Sequence, residues 1–268
     1  MTATGSPEAP PAARPAIEVD GVSASYHVRL DSSSMLSDLG GLFRRSRRAA
    51  NERIVPALRD VSFDVPRGSV LGVIGRNGAG KSTLLRTLAG ILAPESGRIV
   101  VRGRINLLAV GLGFRDNLTG RENIRLGGLA VGLTAARLDE ITDQVAEFAQ
   151  LDEYIDLPMS AYSTGMRARL AFAVAAYLEP EILLIDEALT GGDAAFQAHV
   201  GEKMAELCGQ GRTIVLVTHG LSSVRSMANE AMWLHQGRVA ELGDPDEVVS
   251  KYMRYCRLES MPVDPYDQ

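Results

Sequence analysis

The feature that most constrains this chain is a glycine-rich segment placed between an apolar run and an amphipathic run. Residues 75–82 read GRNGAGKS and match the pattern GxxxxGK[ST]. The apolar Val70–Ile74 before this segment is typical of a buried strand, and the leucines after it recur at helical spacing. A strand, a glycine loop and a helix in this order predict an α/β fold whose loop binds phosphate.

The residue types in this loop suit a nucleoside triphosphate. Glycines allow successive backbone N–H groups to turn toward phosphate oxygens without side-chain clashes. The loop lysine would neutralise the terminal phosphates, the next hydroxyl would bind Mg²⁺, and the threonine after it would contact the α-phosphate. We therefore predict ATP and Mg²⁺ as cofactors, with contacts from Gly75, Asn77, Gly78, Gly80, Lys81, Ser82 and Thr83.

A second apolar run ends in two carboxylates. Ile182–Ile185 is followed by Asp186 and Glu187. Ligands of open α/β sheets bind at the carboxyl ends of such strands. We predict that Asp186 helps to hold Mg²⁺ through water and that Glu187 is the general base for the attacking water. Alone, such a pair would often be solvated charge in a loop, but its position after a phosphate loop favours the catalytic interpretation.

Three further short segments extend the pattern. Tyr162–Met166 reads YSTGM and precedes a helix-like apolar run, a GGD segment ends at Asp193, and Thr218-His219 follows the apolar Ile214–Val217. In this order, and over about residues 17–247, the segments resemble those of the ATP-binding-cassette (ABC) ATPases. The resemblance implies an α/β P-loop core with an antiparallel β subdomain and an inserted helical subdomain.

The same resemblance implies site residues. Ser163 and Gly165 would contact ATP held by a second copy of the chain, so that two composite sites form in a homodimer. Asp193 would lie in the loop that links the two sites, and His219 would bond the γ-phosphate as a catalytic residue together with Lys81 and Glu187. Tyr26 would stack on adenine, although an aromatic residue at the end of the first predicted strand could instead cover the core.

Several features point to one subfamily. The chain resembles the ATPases of bacterial polysaccharide exporters in four features. These are the YSTGM segment, the GxGF and LTGREN sequences within 111–123, the GDAAFQ segment and a long insert at 27–56. That resemblance implies a transmembrane permease partner and a lipid-linked polysaccharide of O-antigen, teichoic acid or galactan type. The family's loop glutamine has no counterpart, because 108–122 contains none.

The predicted domain organisation follows from these segments. We expect a disordered tail at 1–16, an ATP-binding core at 17–115 and 180–243, a helical signature subdomain at 116–179, and a C-terminal helix and tail at 244–268. A basic amphipathic insert at about 30–53 either covers the sheet edge or lies against a membrane or phosphate-bearing partner. Its apolar and basic residues are Met35, Leu36, Leu39, Leu42, Phe43, Arg44, Arg45, Arg47 and Arg48.

Bulk composition restricts the alternatives. A net charge of −5 gives no reason to expect a nucleic-acid partner. No apolar run reaches the length of a membrane span, so any connection to a membrane would come through a partner. The resemblance to exporter ATPases implies a peripheral protein on the cytoplasmic face of the inner membrane. We also expect no room for an added carbohydrate-binding domain after the last helix. The alternatives are another ABC transporter ATPase, or a non-transport ABC ATPase of DNA or ribosome maintenance.

Overall fold

A computed structural model describes residues 14–29, 52–108, 113–178, 180–186 and 194–260. Outside these residues lie two predicted site residues, Glu187 and Asp193, and nearly all of the predicted basic insert. The strands are β1 (Ile17–Arg29), β2 (Glu52–Val65), β3 (Val70–Ile74), β4 (Ser96–Val101), β5 (Ile105–Leu108), β6 (Ile182–Ile185), β7 (Thr213–Val217), β8 (Glu230–His235) and β9 (Arg238–Gly243). The helices are α1 (Lys81–Leu88), α2 (Gly120–Ala130), α3 (Ala135–Ala149), α4 (Thr164–Tyr177), α5 (Ala194–Gly209), α6 (Leu221–Met227) and α7 (Pro245–Ser260).

The strands form two sheets. The smaller sheet is antiparallel, in the order β2-β1-β4, and the larger one has the order β5-β6-β7-β3-β8-β9. Among the described strands of the larger sheet, the β8–β9 pair is antiparallel and the other pairs are parallel. Every residue of β3, β6 and β7 is buried, which explains their unbroken apolar sequences. The predicted combination of an α/β core, an antiparallel sheet and added helices is therefore confirmed.

Helix α4 explains the long apolar run of the sequence. One set of its residues packs with α5 and the larger sheet, and another set packs with α2 and α3. A helix that is apolar all round is a buried helix. The rings of Phe148, Phe172 and Phe196 continue this packing across α3, α4 and α5, with centroids 5.8 Å apart for the pairs that include Phe148. Within the described residues, no helix combines the length and the apolar character that a membrane crossing requires.

The first strands are longer than the sequence indicated. Tyr26 does not end β1, because β1 continues to Arg29 and pairs with β2 from Glu52 onward. Residues 27–29 and 52–56 therefore belong to a β-hairpin, although the sequence had suggested that they are part of the insert. Ala16, which was assigned to the tail, is buried and donates its N–H to the Val65 carbonyl at 2.8 Å. The predicted domain boundaries otherwise stay a prediction.

Candidate functional site

A cleft of about 470 Å³ opens at the carboxyl ends of the central strands. The loop after β3, the residue after β6 and the loop after β7 reach it together because these strands are parallel neighbours. The lining residues are Tyr26, Val55, Pro56, Ala57, Arg76, Asn77, Gly78, Gly80, Lys81, Ser82, Thr83, Asp186 and His219. Most of the residues that the sequence analysis assigned to one nucleotide thus lie in one cleft.

Lys81 begins α1 and lies within the glycine loop. Its side chain is buried, and Nζ donates to the Gly75 carbonyl at 2.6 Å and to the Arg76 carbonyl at 3.2 Å. These contacts hold the ammonium group against the loop backbone at the N-terminus of α1. Both the lysine charge and the helix end favour an anion in the cleft.

Two loop glycines are required by their neighbours. A Cβ on Gly75 would lie 2.3 Å from the Leu234 carbonyl oxygen of β8. A Cβ on Gly80 would lie 2.5 Å from the Ala57 carbonyl oxygen of β2. The loop is therefore packed between β8 and β2, and a larger residue at either position would displace it. The sequence pattern had suggested only phosphate access as the reason for these glycines.

Two residues from distant parts of the sequence meet across the cleft. His219 Nε2 lies 3.0 Å from Asn77 Oδ1. Thr218, just before the histidine, is buried, and its hydroxyl accepts the Gly220 N–H at 2.9 Å, which shapes the loop after β7. The ring of His219 is exposed toward the cleft, as a residue that contacts a bound phosphate must be.

The oxygen ligands expected for Mg²⁺ also line the cleft. Ser82 is exposed at the start of α1, and Asp186 is half-buried after β6. A hydroxyl and a carboxylate are hard oxygen donors of the kind that Mg²⁺ prefers, and Mg²⁺ completes its shell with water and phosphate oxygens. The residues present therefore fit this ion.

The far end of the cleft is formed by the β1–β2 hairpin. The Tyr26 and Thr83 hydroxyl oxygens are 3.3 Å apart, which ties the tyrosine to α1. Tyr26 pairs with Val55 across the strands, so both side chains lie on one sheet face beside the cleft. The cleft lining also includes Val55, Pro56, Ala57 and Arg76, for which the sequence predicted no role. Of these, only Arg76 had a local signal, since it lies within the loop motif.

The YSTGM residues lie elsewhere. Ser163 is the N-cap of α4 and accepts the Met166 N–H at 3.2 Å. Ser163, Thr164 and Gly165 are all exposed, and they do not line the cleft that the described residues form. The helix N-terminus of α4 is thus open to a group from outside this chain, and its N–H groups favour an anion.

Comparison with known proteins decides the family. A family model described as ABC transporter matches residues 58–190. The ABC transporter protein AbcA of Aeromonas salmonicida is 37% identical over 246 residues, which are 91% of this chain and 78% of that protein. The chain belongs to the ABC transporter family. The predicted family is confirmed.

Other ABC relatives carry more specific names. The O-antigen export system ATP-binding protein RfbB of Myxococcus xanthus is 41% identical over 232 residues, covering 86% of this chain and 53% of that protein. The teichoic acids export ATP-binding protein TagH of Bacillus cereus is 43% identical over 201 residues, covering 75% of this chain and 37% of that protein. The chain thus matches about half of the first relative's length and less of the second's.

Solved structures agree on the fold. An ATP-binding subunit of an ABC transporter superposes with a TM-score of 0.73 at 24% identity and covers 91% of this chain and 98% of its own. A dimeric post-hydrolysis state of an ATP-binding cassette, bound to ADP and Pi, gives a TM-score of 0.69 at 19% identity. The match covers 85% of this chain and 98% of that chain. At these identities the likeness establishes the ABC ATPase fold and nothing further.

Proposed function

We propose that the chain binds and hydrolyses MgATP in the cleft at the carboxyl ends of β3, β6 and β7. The observation that carries the proposal is the convergence of Lys81, Asp186 and His219 on one cleft with the glycine loop. These residues come from three strand ends that are distant in sequence. Each has the charge or hydrogen-bonding group that stabilisation of a transferring phosphoryl group requires.

The chemistry follows from the positions of these groups. Lys81 and the N–H groups of the loop bind the β- and γ-phosphates, and Tyr26 provides an aromatic face for the base. Mg²⁺, held by Ser82 and through water by Asp186, neutralises charge on the phosphate oxygens when bound. In the tautomer that carries hydrogen on Nε2, His219 turns this donor from Asn77 Oδ1 to the γ-phosphate when ATP binds. Glu187, adjacent to Asp186 in sequence, is the general base for the attacking water.

A second copy of the chain completes each site in this proposal. Ser163 and Gly165 are exposed at the N-terminus of α4 and lie outside the cleft of their own chain. An exposed helix N-terminus with small residues can approach the γ-phosphate held by a second chain. Asp193 would then lie between the two sites. Hydrolysis and product release would reopen the dimer.

The direct test compares wild type with Glu187→Gln. We expect wild type to hydrolyse ATP, and the variant to lose turnover by at least about 100-fold, because the general base is removed while its shape is kept. The variant should also form a dimer only with ATP, measured by size-exclusion chromatography with mass detection. Glu153→Gln is the matched control, because Glu153 is exposed in the turn after α3 and does not line the cleft.

The outcomes separate the two parts of the proposal. A Glu187→Gln variant that hydrolyses ATP as fast as wild type would refute the base assignment. A variant that is inactive but stays monomeric with ATP would refute the composite site. A wild type that binds ATP without any turnover would leave a nucleotide-binding protein and refute the enzymatic proposal.

We further propose that this ATPase powers export of a lipid-linked polysaccharide across the inner membrane, as a peripheral subunit of a transmembrane permease. Support comes from the relatives named for O-antigen and teichoic acid export and from the YSTGM and LTGREN segments. The test measures the amount of surface polysaccharide on cells whose chain carries Lys81→Ala. We expect loss of the surface polymer with accumulation of lipid-linked glycan inside, whereas unchanged surface polymer would refute export.

A further inference from the structure

The segment that leads into α2 is joined to the segment that leads into the YSTGM motif. The Met159 N–H donates to the Leu118 carbonyl at 2.8 Å, and the Ser160 N–H donates to the Asp116 carbonyl at 3.0 Å. Thr119 and Pro158 form an isolated antiparallel bridge beside these bonds. Two stretches that are about forty residues apart in sequence therefore run side by side for several residues.

A buried asparagine holds the first of these stretches in shape. Asn123 is only 1% exposed, and its Oδ1 accepts the Arg115 N–H at 2.8 Å. Its Nδ2 lies within hydrogen-bonding distance of the carbonyls of Arg115, Leu118 and Thr119, at 3.1, 3.3 and 2.9 Å. One buried side chain thus contacts backbone groups of three residues in the turn, which favours this shape of the turn.

The YSTGM tyrosine fits against the same turn. Tyr162 is buried, and its hydroxyl donates to the Tyr154 carbonyl at 2.7 Å. A Cβ on Gly120 would lie 2.4 Å from this hydroxyl and 2.9 Å from Ile155 Cδ1. Glycine at position 120 is therefore required for the tyrosine to sit where it does. The LTGREN and YSTGM segments are two parts of one packed unit.

An ion pair adds a side-chain connection to α4 itself. In the first turn of α4, Arg167 donates through Nη1 to Asp116 Oδ1 and through Nη2 to the Met159 carbonyl at 2.6 Å. The segment before α2 is thus tied to the helix whose N-cap is Ser163.

We infer that Asp116 and Arg167 are positioning residues that hold the α4 N-terminus, with Ser163 and Gly165, against the segment before α2. They touch neither nucleotide nor metal in the proposed site. Their bond joins the segment before α2 to the first turn of α4, so a shift of that segment moves Ser163 and Gly165 as well. The inference rests on the proposed composite site, because the position of α4 matters only if a second chain uses it.

The test reverses each charge and then exchanges the pair. Asp116→Arg and Arg167→Asp, each in the Glu187→Gln background, should weaken ATP-driven dimerisation by roughly 5-fold, the upper end for a partly exposed ion pair. Binding of ADP, which contacts only the cleft of one chain, should be unchanged. The double exchange should recover dimerisation in part, since the bond to the Met159 carbonyl is not restored.

A matched control is the Arg125–Asp139 pair, which joins α2 to α3 at 2.7 Å and lies on the exposed side of both helices. Arg125→Asp should leave ATP-driven dimerisation unchanged. The inference is overturned if the single reversals dimerise like the parent, if ADP binding falls with dimerisation, or if the exchange recovers nothing. If the parent itself fails to dimerise with ATP, the proposed composite site fails, and this inference fails with it.

Discussion

His219 Nε2 lies 3.0 Å from Asn77 Oδ1, although the two residues are 142 positions apart in the sequence. In the tautomer that carries hydrogen on Nε2, the imidazole donates this bond. The asparagine therefore points the ring into the cleft before any phosphate is present. A donor that is already oriented loses less freedom when it engages a developing charge, which is the basis of electrostatic preorganisation.

This relationship predicts unequal effects for the two residues. His219→Ala should lower the turnover of ATP by about 100-fold or more, the range seen when one preorganised donor is removed. Asn77→Ala should cost less, about 10-fold, because the His219 donor is still present and the change removes its orientation and the predicted contact of Asn77 with the nucleotide. Steady-state hydrolysis and ADP affinity are the measurements, and ADP affinity should change little in the His219 variant.

His199→Ala is the control for the loss of an imidazole, since His199 is exposed on α5 and does not line the ATP cleft. We expect it to hydrolyse ATP at the wild-type rate. Equal losses for the Asn77 and His219 variants would contradict the orienting role of the asparagine. A His219 variant with normal turnover would remove the histidine from the mechanism altogether.

Much of the sheet was predictable from continuous apolar sequence. β3, β6 and β7 are buried on both faces, so their composition alone identifies them. β4 and β9 were missed because all of their residues are exposed or half-buried and their sequences mix apolar and polar residues without a continuous apolar run. Such strands are specified by pairing with β1 and β8 rather than by their own composition.

The candidate site was predictable where motifs are local. The glycine loop, Asp186 and His219 each follow an apolar strand, and parallel neighbours bring strand ends together. Val55 could not be found in this way, because its place in the cleft depends on its register opposite Tyr26 in a long hairpin. The role of Asn123 was also hidden, since its partners are backbone atoms whose positions only the fold defines.

The β8–β9 turn supports the glycine loop and gives a second prediction. The Gly237 N–H donates to the Ala79 carbonyl at 2.9 Å, and its carbonyl accepts the Arg59 N–H at 2.8 Å. Gly237 has φ 79°, and a Cβ there would lie 2.6 Å from the Ala57 carbonyl oxygen. Gly237→Ala should destabilise the chain by about 1 kcal/mol for the backbone and about 1–3 kcal/mol more for the clash.

Gly211→Ala separates the two contributions. Gly211 has φ 77°, but a Cβ there meets nothing within 4 Å. Gly211→Ala should therefore lower the free energy of unfolding by the backbone contribution alone, about 1 kcal/mol, as measured by urea unfolding. ADP affinity should fall in the Gly237 variant alone, because only that turn touches the glycine loop. Equal unfolding free energies for the two variants would show that the close approach to Ala57 has no energetic consequence.

An ion pair between α2 and the turn after α3 predicts a dependence of stability on pH. Arg121 Nε lies 2.8 Å from Asp156 Oδ1, and the hydrogen bond from Arg121 holds the pKa of the Asp156 carboxyl below its usual value. Because the folded-state pKa is depressed, this stabilisation is present above the ordinary carboxyl pKa of about 4 and is lost as the pH falls through the lower folded-state value. Asp156→Asn should therefore lower the free energy of unfolding at neutral pH, and its difference from wild type should shrink below about pH 4.

Glu230→Gln provides a control of opposite sign in the same measurement. Burial raises the pKa of the Glu230 carboxyl, so its charged form opposes folding at neutral pH. Removing that charge should raise the free energy of unfolding at pH 7, and the gain should disappear on acidification as the wild-type carboxyl becomes protonated. Urea unfolding of wild type and both variants between about pH 7 and pH 3 tests the two signs together. An Asp156→Asn difference that stays constant over this range would show that Asp156 contributes through packing, and that its charge has no part in stability.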